Sequence, residues 1–338
     1  MSDAAPVSNE QASRLAEKLF GAAGSAQPLK SERDQNFVIR GDEGKFVLKI
    51  TNPAEDRGVT DFHTKALLHI AQVDPSLSVP RLLPTREGGY EAEFVDGDGR
   101  TRVVRLLSFL PGVMAASLEP SRDLRTGIAR VLARFDRAMA DFTHPAADHE
   151  IAWDITHAAN LRKLLPEIAD AANRARAERA LDRFDAVAPL LGNLRRQVIH
   201  NDLNPFNVLF SEDTPLRVLG VLDFGDMVRA PLINDLAIAA SYHVGPAADP
   251  LQPLCEMIGA YNEVVPIEAA ECDLIADLIA TRLAMTVLIT EWRAGLFPQN
   301  RSYILKNHPA ATRGLDLLAG IPRDKAQRRF RGACGLER

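Results

Sequence analysis

The sequence predicts an α+β protein with two lobes, a small antiparallel sheet followed by a larger and mainly helical region. Two patterns and one break support this prediction. Short β-branched runs fill the first third of the chain, helical apolar stripes fill most of the rest, and Pro111 with Gly112 separates them. We therefore place a mostly β N-terminal lobe at 1–110 and a mostly α C-terminal lobe at 111–338. A cleft between two such lobes is a favoured ligand site.

The N-terminal lobe opens with a hairpin pattern. FVIR (37–40) and FVLKI (46–50) flank GDEGK, whose Gly and acidic residues favour a tight turn. The stretch 60–72 places its apolar residues on one helical face. YEAEFV (90–95) and RVVRLLSFL (102–110) predict two further strands. Together these segments predict antiparallel strands with one helix among them.

Helical periodicity dominates after residue 112. The predicted helices are 121–142, 158–170, 173–188, 232–244, 252–263 and 268–293. Two polar loops, 200–207 and 223–228, interrupt this helical half. The basic C-terminal stretch RDKAQRRFRGACGLER has no evident helical stripe, and we predict a solvated end there.

Composition and charge limit the possible partners. The 338 residues carry a formal net charge of -5, which disfavours a nucleic-acid partner and fits a small molecule better. The three cysteines are far apart, which argues against a disulfide framework or a zinc site. No stretch has the apolar length of a membrane span, and MSDAAPVSNE lacks the apolar core of a secretory signal. We expect a soluble, cytoplasmic protein without a membrane partner.

The segment VIHNDLNPFNVLF (198–210) places several polar side chains between two short apolar runs, which predict strands on either side of a tight loop. Asp202 and Asn207 have the spacing H-x-D-x-x-x-x-N of a kinase catalytic loop, with His200 as its first member. A DFG triplet follows, beginning at Asp223. The combination in this order is far more specific than any single member.

Phosphoryl transfer requires a cation on the phosphates, oxygen ligands for Mg²⁺ and a carboxylate that orients the attacking hydroxyl. Asp202 is the candidate base. Asn207 and Asp223 carry the hard oxygen atoms that Mg²⁺ prefers, and Lys49 at the end of FVLKI would place a point charge on the nucleotide phosphates. This set predicts a phosphotransferase that uses Mg²⁺ and a nucleoside triphosphate.

Two neighbouring residues fit supporting roles. We interpret His200 as a hydrogen-bonded scaffold residue that braces the loop, because kinase chemistry needs no histidine. Asp235 in NDLA stands at a predicted helix start, where an N-terminal cap is the simplest role. Asp226 is a candidate for binding a cationic substrate.

At these residues the chain resembles the aminoglycoside phosphotransferase and choline kinase superfamily, which has a protein-kinase-like fold. The resemblance runs from roughly 30 to 305. Within the superfamily the chain is most similar to the hydroxylysine kinases, through the strings DQNF (34–37), FVLKI (46–50), RLLSFLPG (105–112), NDLNPFN (201–207) and GVLDFGDM (220–227). The resemblance implies GTP-dependent phosphorylation of the side-chain hydroxyl of 5-hydroxylysine. It also implies Asp202 as base, Asn207 and Asp223 as metal ligands and Lys49 as the phosphate-binding lysine.

The resemblance further implies two nucleotide-binding segments. The stretch SERDQNF (31–37) aligns with the loop over the nucleotide, but it has no G-x-G-x-x-G, so Ser31, Gln35 and Asn36 would have to supply hydrogen-bond donors. The hinge that faces the purine aligns with Leu107, Ser108, Phe109 and Leu110.

The partner of Lys49 departs from the family pattern. Kinases orient this lysine with a Glu from the next helix. The matching helix here reads DFHTKALL and has His63 near the expected place, with Asp61 as a possible substitute.

The acceptor is less constrained than the phosphate chemistry. Asp226 and Glu291 could pair with a substrate ammonium, with Trp292 adding a cation–π face, and Asn204 is either a substrate contact or a turn residue. Homoserine, ethanolamine, choline or an aminoglycoside would leave every phosphate-side residue unchanged, and ATP remains an alternative to GTP. A nucleotide-binding pseudokinase is the rival from another class. It predicts the loss of at least one of the four residues of the phosphate chemistry, and all four are present.

Overall fold

The structure, a computed structural model, describes residues 5–31, 33–245 and 248–336. The chain divides into two compact units. The sheet unit comprises the chain up to Gly112 together with two later segments, His144–Ala147 and Leu219–Leu222. The helical unit comprises Val113–Thr143, Asp148–Val218 and the chain from Asp223 onward.

The sheet unit contains two helices and a six-stranded antiparallel sheet among its described residues. Its elements are α1 (Asn9–Phe20), β1 (Ser25–Leu29), β2 (Gln35–Gly41), β3 (Gly44–Ile50), α2 (Arg57–Val73), β4 (Leu82–Leu83), β5 (Ala92–Val95) and β6 (Thr101–Ser108). The strand order is β1-β2-β3-β6-β4, and β5 also pairs with β6.

The β2–β3 hairpin forms as the sequence predicts. Gly41 pairs with Gly44 across a two-residue turn, and the register continues to Gln35 opposite Ile50. Gly44 has φ 121°, a conformation that favours glycine. The register places Asn36 opposite Lys49, so the end of this hairpin carries the residues predicted to bind the nucleotide.

One face of the sheet packs on α1, a helix that the sequence patterns did not predict. Ser8 caps α1, since its Oγ accepts a hydrogen bond from the Gln11 amide. The helix turns Ala12 and Ala16 into the core beside Phe37 and Leu48 of the hairpin. Small alanines give a weak hydrophobic signal in sequence, but they let a helix pack closely on a sheet.

Among its described residues, the helical unit contains most of the helices and four short strands, and one more strand, β10, is largely part of the sheet unit. In chain order these elements are β7 (Val113–Met114), α3 (Arg122–Ala138), α4 (Ala171–Val187), β8 (Arg196–Ile199), β9 (Val208–Phe210), β10 (Val218–Val221), β11 (Val228–Pro231), α5 (Leu232–Ser241), α6 (Gln252–Asn262), α7 (Ala269–Cys272), α8 (Ile275–Leu296), α9 (Arg301–Ile304), α10 (His308–Ala319) and α11 (Arg323–Ala333). β7 pairs with β9 and β8 pairs with β11, both antiparallel.

Helix α8 forms the centre of the helical unit. Nearly every residue from Ile275 to Thr290 is buried, which is expected for a helix that is apolar on all sides. Helices α4, α5 and α10 pack around it. The few polar side chains on this buried segment therefore have fixed surroundings, and Arg282 is one of them.

Two predicted segments differ in the structure. Residues Ile155–Glu167 form a 3₁₀ helix in place of the α-helix expected at 158–170, and Pro166 lies inside it. The C-terminal stretch is not a solvated end, because it forms α11 and buries Ala326 and Phe330. Only two apolar anchors hold α11, and charged contacts such as Arg331 with Asp273 (2.5 Å) supply the rest, so no apolar stripe was visible.

None of the helices in 5–31, 33–245 and 248–336 has both the length and the apolar character needed to cross a membrane.

Candidate active site

The loop 200–207 lies in the helical unit, between the end of β8 and the start of β9. The carboxylate of Asp235, on α5, holds its first residues, accepting hydrogen bonds from the backbone amides of His200 (2.7 Å) and Asn201 (2.8 Å). Asn201 has φ 63°, a left-handed conformation that is uncommon for a residue with a side chain. Such strain persists where the surroundings enforce it, and here the two hydrogen bonds to Asp235 do so.

Asp235 is therefore a loop brace and not the helix cap that the sequence suggested. Helix α5 begins at Leu232, with Pro231 in the N-cap position, and Asp235 lies fully buried in the first turn, past the capping position. The buried carboxyl of Asp136 lies next to Asp235 and accepts a hydrogen bond from the Tyr261 hydroxyl (2.6 Å). Burial and the charge of Asp235 raise the pKa of Asp136 well above its usual value.

His200 packs in an aromatic cluster beneath the loop. Its ring lies 5.2 Å from Phe224 of the DFG triplet and 5.6 Å from Phe135 of α3, measured between ring centroids. Its Nδ1 accepts a hydrogen bond from the Asp202 amide (3.3 Å). The histidine thus connects the loop and the DFG triplet through packing, and its buried position leaves no route to a substrate.

Both oxygens of the Asp202 carboxylate have partners. Oδ2 accepts from the side-chain amides of Asn204 (2.9 Å) and Asn207 (3.1 Å). Oδ1 lies 3.3 Å from Nη2 of Arg282. The carboxylate is therefore oriented by the loop on one side and by α8 on the other.

Burial is the largest influence on Asp202. Burial raises the pKa of this carboxyl, and the charge of Arg282 acts to lower it. The nearby carboxylates Asp226 and Asp223 raise it further, so that the pKa of Asp202 lies at about 7. A base with a pKa near the working pH is well matched to proton transfer. The same contributions show that Asp223 and Asp226 lie close enough to act on Asp202.

Arg282 had no signal in the sequence patterns, because it stands in the middle of an apolar helix 80 residues after Asp202. Its Nη1 donates to the Trp153 carbonyl (2.7 Å), and its guanidinium carbon lies 4.7 Å from the centroid of the Trp153 ring. The Tyr242 side chain also acts on the charge of Arg282. Burial acts to lower the pKa of Arg282, but Tyr242 and Asp202 outweigh it, and Arg282 stays charged.

Asn207 and Asp223 fit a Mg²⁺ ion. The Nδ2 of Asn207 donates to the backbone carbonyl of Asp202 (2.9 Å) as well as to its carboxylate, so the amide oxygen of Asn207 remains for a metal. Asp223 is exposed, has φ 61°, and Gly225 lets the backbone approach its carboxylate. The described residues contain no cluster of three His, Cys, Asp or Glu side chains suited to a metal, so phosphate oxygens and water would complete the coordination.

In the sheet unit, Lys49 on β3 pairs with Asp34. Their Nζ and Oδ2 atoms are 3.0 Å apart, and the other oxygen of Asp34 accepts from the Asn52 amide (2.9 Å). Burial acts to raise the pKa of Asp34, but the charge of Lys49 and the Asn52 hydrogen bond outweigh it, so that pKa lies below its usual value. Asp34 stands in the DQNF string, where the sequence gave no reason to choose it.

Asp61, the possible partner of Lys49 in the sequence, was wrong, because Lys49 pairs with Asp34. Asp61 pairs with His144 Nε2 at 3.0 Å, within the sheet unit. His63 is buried on α2, with its ring 5.4 Å from that of Phe62. The helix therefore does not supply the acidic partner, and the segment before β2 supplies it instead.

The predicted nucleotide loop has three polar side chains that are candidates for binding the nucleotide, and their hydrogen bonds differ. Gln35 holds the N-terminal segment, since it accepts from the Val7 amide (2.7 Å) and donates to the Ala5 carbonyl (3.0 Å). Ser31 donates to the Asp34 carbonyl. Asn36 lies opposite Lys49, and its buried Oδ1 has no hydrogen-bond partner in the described residues.

The predicted hinge begins in the last two residues of β6, an interior strand of the sheet. Leu107 pairs with Val47 and Leu82, and Ser108 bonds with Arg81 through its amide (2.8 Å) and its Oγ (2.9 Å). Phe109 and Leu110 continue beyond the strand, and Lys45 lies 5.4 Å from the Phe109 ring centroid. All four residues are partly exposed.

The structure does not bring all of the predicted substrate residues together. Asp226 acts on Asp202, as described above. Glu291 instead contacts His308 (2.6 Å) and Asn173 (3.0 Å), and it lies nine residues after Arg282 on α8, about half a turn around the helix and about 13.5 Å along it. Trp292 is 38% exposed. The aromatic ring that stacks on a cation near Asp202 is Trp153, which the sequence did not indicate.

Asn204 is the turn residue of the two sequence alternatives. Its Oδ1 accepts from the Phe206 amide (2.8 Å), and its Nδ2 donates to Asp202. Both ends of its side chain are therefore used inside the loop.

The model of the phosphotransferase enzyme family known as APH matches residues 25–263 of the chain, which include β2, β3, the loop 200–207 and the DFG triplet. The chain belongs to this family. It is a phosphotransferase that acts on an alcohol group, and its fold is the protein-kinase-like fold of the family.

Curated relatives agree with this family. The chain is 27% identical over 330 residues to the hydroxylysine kinase of Mus musculus, covering 89% of the chain and 87% of the relative. It is 29% identical over 271 residues to the homoserine kinase of Methylocella silvestris, covering 77% of the chain and 78% of the relative. The APH member is thus similar along most of its length to small-molecule kinases.

Solved structures share the fold. A microcompartment-associated aminopropanol kinase superposes with a TM-score of 0.67 at 18% identity, covering 96% of the chain and 98% of that structure. An amicoumacin kinase in complex with AMP-PNP and Ca²⁺ superposes with a TM-score of 0.66 at 15% identity, covering 90% of the chain and 95% of that structure.

Proposed function

We propose that this protein transfers the γ-phosphoryl group of GTP or ATP to the hydroxyl of a hydroxylated amino acid, with 5-hydroxylysine as the favoured acceptor. The observation that carries the proposal is the Asp202 carboxylate, fixed through both oxygens and flanked by the metal-type ligands Asn207 and Asp223. An amino alcohol such as homoserine is the second candidate, because homoserine kinases are also similar to the chain.

Asp202 is the proposed base. Phosphoryl transfer passes through a loose transition state, so the main task of the base is to orient the acceptor hydroxyl and receive its proton as the new P–O bond forms. The three hydrogen bonds to its carboxylate keep Asp202 in one position, which reduces the entropy lost on reaching the transition state. His200, Asp235 and Asp136 would support that position from below.

Asn207 and Asp223 are the proposed ligands of Mg²⁺. The ion would neutralise charge on the transferring phosphoryl group, and the two side chains would hold it through an amide oxygen and a carboxylate oxygen. Lys49 is the proposed contact to the non-transferred phosphates, with Asp34 as the residue that orients it. In the segment 31–37, Asn36 is a further candidate hydrogen-bond donor and acceptor for the nucleotide.

The acceptor class follows from charge. Three carboxylates lie near one another, those of Asp202, Asp223 and Asp226. Among the described residues named as acting on the pKa of Asp202, Arg282 is the guanidinium that opposes them. A net negative charge attracts both a divalent cation and an ammonium group. Similarity to hydroxylysine kinases over nearly the whole chain favours a hydroxylated diamino acid over an acceptor without an amino group.

A panel of acceptors tests the proposal. The full chain with Mg²⁺ and either ATP or GTP is incubated with 5-hydroxylysine, homoserine, 1-amino-2-propanol, ethanolamine, choline and an aminoglycoside, and products are identified by ³¹P NMR and mass spectrometry. We expect a phosphate monoester on the hydroxyl of 5-hydroxylysine, with the highest kcat/KM of the panel. Lysine, which lacks the hydroxyl, is the matched negative control.

The outcomes separate the alternatives. A higher kcat/KM for homoserine would replace the favoured acceptor, whereas turnover of none of the acceptors with either nucleotide would overturn the proposed reaction. D202N measured in parallel shows whether product formation depends on the proposed base.

A further inference from the structure

Arg282 is a buried cation that reaches the loop 200–207 from a helix far along the chain. Its side chain is 2% exposed, and two residues hold it, which are Trp153, through its carbonyl and its ring, and Asp202, through its carboxylate. A guanidinium is planar and presents its donors in a fixed fork, so contacts in several directions define its position. Arg282 is therefore a rigid reference point beneath Asp202.

The two oxygens of Asp202 are not equivalent. Oδ2 accepts two amide hydrogens, from Asn204 at 2.9 Å and Asn207 at 3.1 Å. Oδ1 accepts only from Arg282 among the described residues, at the longer distance of 3.3 Å. Because a carboxylate oxygen has two lone pairs, Oδ2 is saturated and Oδ1 keeps one acceptor position.

We propose that Arg282 is the positioning residue of the transfer reaction, holding Asp202 so that Oδ1, and not Oδ2, receives the acceptor hydroxyl. This proposal rests on the proposed function of the site. In the transfer, the acceptor oxygen forms a bond to the γ-phosphorus, the bond from that phosphorus to the bridging oxygen breaks, and the nucleoside diphosphate leaves. The hydroxyl proton moves to Oδ1 of Asp202.

Arginine suits this role better than lysine. A lysine ammonium at this position is a point charge on a flexible stem, so it cannot stack on Trp153 while bonding to both the Trp153 carbonyl and Asp202. Lysine at 282 would keep the charge and lose the orientation. The variants R282K and R282M therefore separate the contribution of geometry from that of charge.

The experiment compares R282K and R282M with the wild type and with R183M. Arg183 also contacts α8, through Asp277 (2.7 Å), but Asp277 keeps a second partner in Arg323 (2.8 Å), so R183M removes an ion pair on the same helix without touching Asp202. Melting temperature, kcat, and the KM values of nucleotide and acceptor are measured for each protein.

We expect R282M to lower kcat by about 10²-fold and R282K by about 10-fold, because a small misplacement of a catalytic group is costly, with the KM for nucleotide changed by less than about threefold. R183M should keep kcat. Guanidinium added to R282A should restore part of the lost kcat, which a general loss of folding would not allow.

Three results would overturn the proposal. One is a folded R282K and R282M that keep kcat within about threefold. Another is a loss confined to the acceptor KM, which would make Arg282 a substrate-binding residue. The third is a crystal structure of R282M in which the Asp202 carboxylate keeps its wild-type position. This structural test does not depend on turnover, so it can overturn the positioning role even if the wild type phosphorylates no acceptor. Failure of the proposed function is therefore recognised separately.

Discussion

Two ion pairs, one in each unit, hold the residues proposed to act on the phosphates and on the acceptor, and they differ in what controls their charge. Lys49 and Asp34 in the sheet unit are 22% and 14% exposed, whereas Arg282 in the helical unit is 2% exposed beside Asp202 at 21%. The pKa of Asp34 lies below its usual value, but the pKa of Asp202 is raised to about 7.

The difference shows which physical effect prevails at each carboxyl. Burial acts to raise both pKa values. At Asp34, Lys49 at 3.0 Å and a backbone amide are sufficient to reverse it. At Asp202, the attraction of Arg282 is offset by Asp223 and Asp226, so burial prevails. The first pair therefore keeps a permanent charge, and the second keeps a carboxyl that can gain and lose a proton near neutral pH.

Removal of Asp202 should have the largest effect. We expect D202A to lower kcat by about 10² to 10⁴-fold, because both proton acceptance and orientation of the hydroxyl are lost. Nucleotide binding, measured by titration calorimetry, should survive. Activity of D202A within tenfold of the wild type would show that the helical-unit pair is structural.

Loss of Lys49 should follow. K49M is expected to lower kcat/KM for the nucleotide by about 10² to 10³-fold, since a preorganised charge on the phosphates is removed. Steady-state kinetics with varied nucleotide measure the change. K45M is the matched control on the same strand, because Lys45 contacts Phe109 and not Asp34. Equal effects of the two substitutions would contradict the role of Lys49.

The pH dependence sharpens the contrast directly. The proposed base would act as the carboxylate, and the pKa of Asp202 is about 7, so kcat/KM should rise with pH and change about tenfold between pH 6 and pH 8. Asp34, with its lowered pKa, stays ionised over this range and therefore adds no second pH-dependent step to the profile of kcat/KM. A profile that is flat from pH 6 to pH 8 would contradict the assignment of Asp202.

Neutralising Asp34 should have a smaller effect than removing the lysine. D34N keeps the acceptor for the Asn52 amide but loses the charge opposite Lys49, and we expect the nucleotide KM to rise about tenfold or less. D61N is the matched control, because it breaks the ion pair with His144 in the same unit. If D34N and D61N behave alike, Asp34 does not orient Lys49.

The smallest effect is expected from D136N, measured by thermal unfolding. The pKa of Asp136 is raised well above its usual value in the folded protein, so the folded state keeps this proton to a higher pH than the unfolded chain, and stability falls as pH rises above the usual pKa of an Asp carboxyl, about 4. Asn can replace the protonated carboxyl, accepting from Tyr261 and donating to Asp235. D136N should therefore unfold within about 1 kcal/mol of the wild type near pH 5 and gain relative stability at higher pH. D136A should lose about 1 to 3 kcal/mol, because Tyr261 and Asp235 lose their partner.

Prediction from sequence succeeded where neighbours in the chain decide the structure. The β2–β3 hairpin depends on a turn and two flanking runs, and its register follows from them. The loop 200–207 lies between β8 and β9 because apolar runs flank it. Prediction from sequence failed for α1 and α11, because the buried residues of these helices are small or few. Charge and tertiary packing decide that both segments are helical.

The sequence by itself determined the family, the spacing of Asp202 and Asn207 on one loop, and the DFG triplet that follows. These features are local, since bond geometry fixes what five residues can reach. Only the tertiary structure decided the partners, which are Asp34 for Lys49, Arg282 for Asp202, and Asp235 with Asp136 beneath the loop. A charged side chain pairs with the opposite charge or the amide group that tertiary packing brings within about 3 Å of it. The free energy of a buried charge depends on that neighbour far more than on the residue type of the charged side chain. Distance along the chain carries no information about such a neighbour, so a buried arginine 80 residues away could set the position of a carboxylate without leaving a trace in the motif.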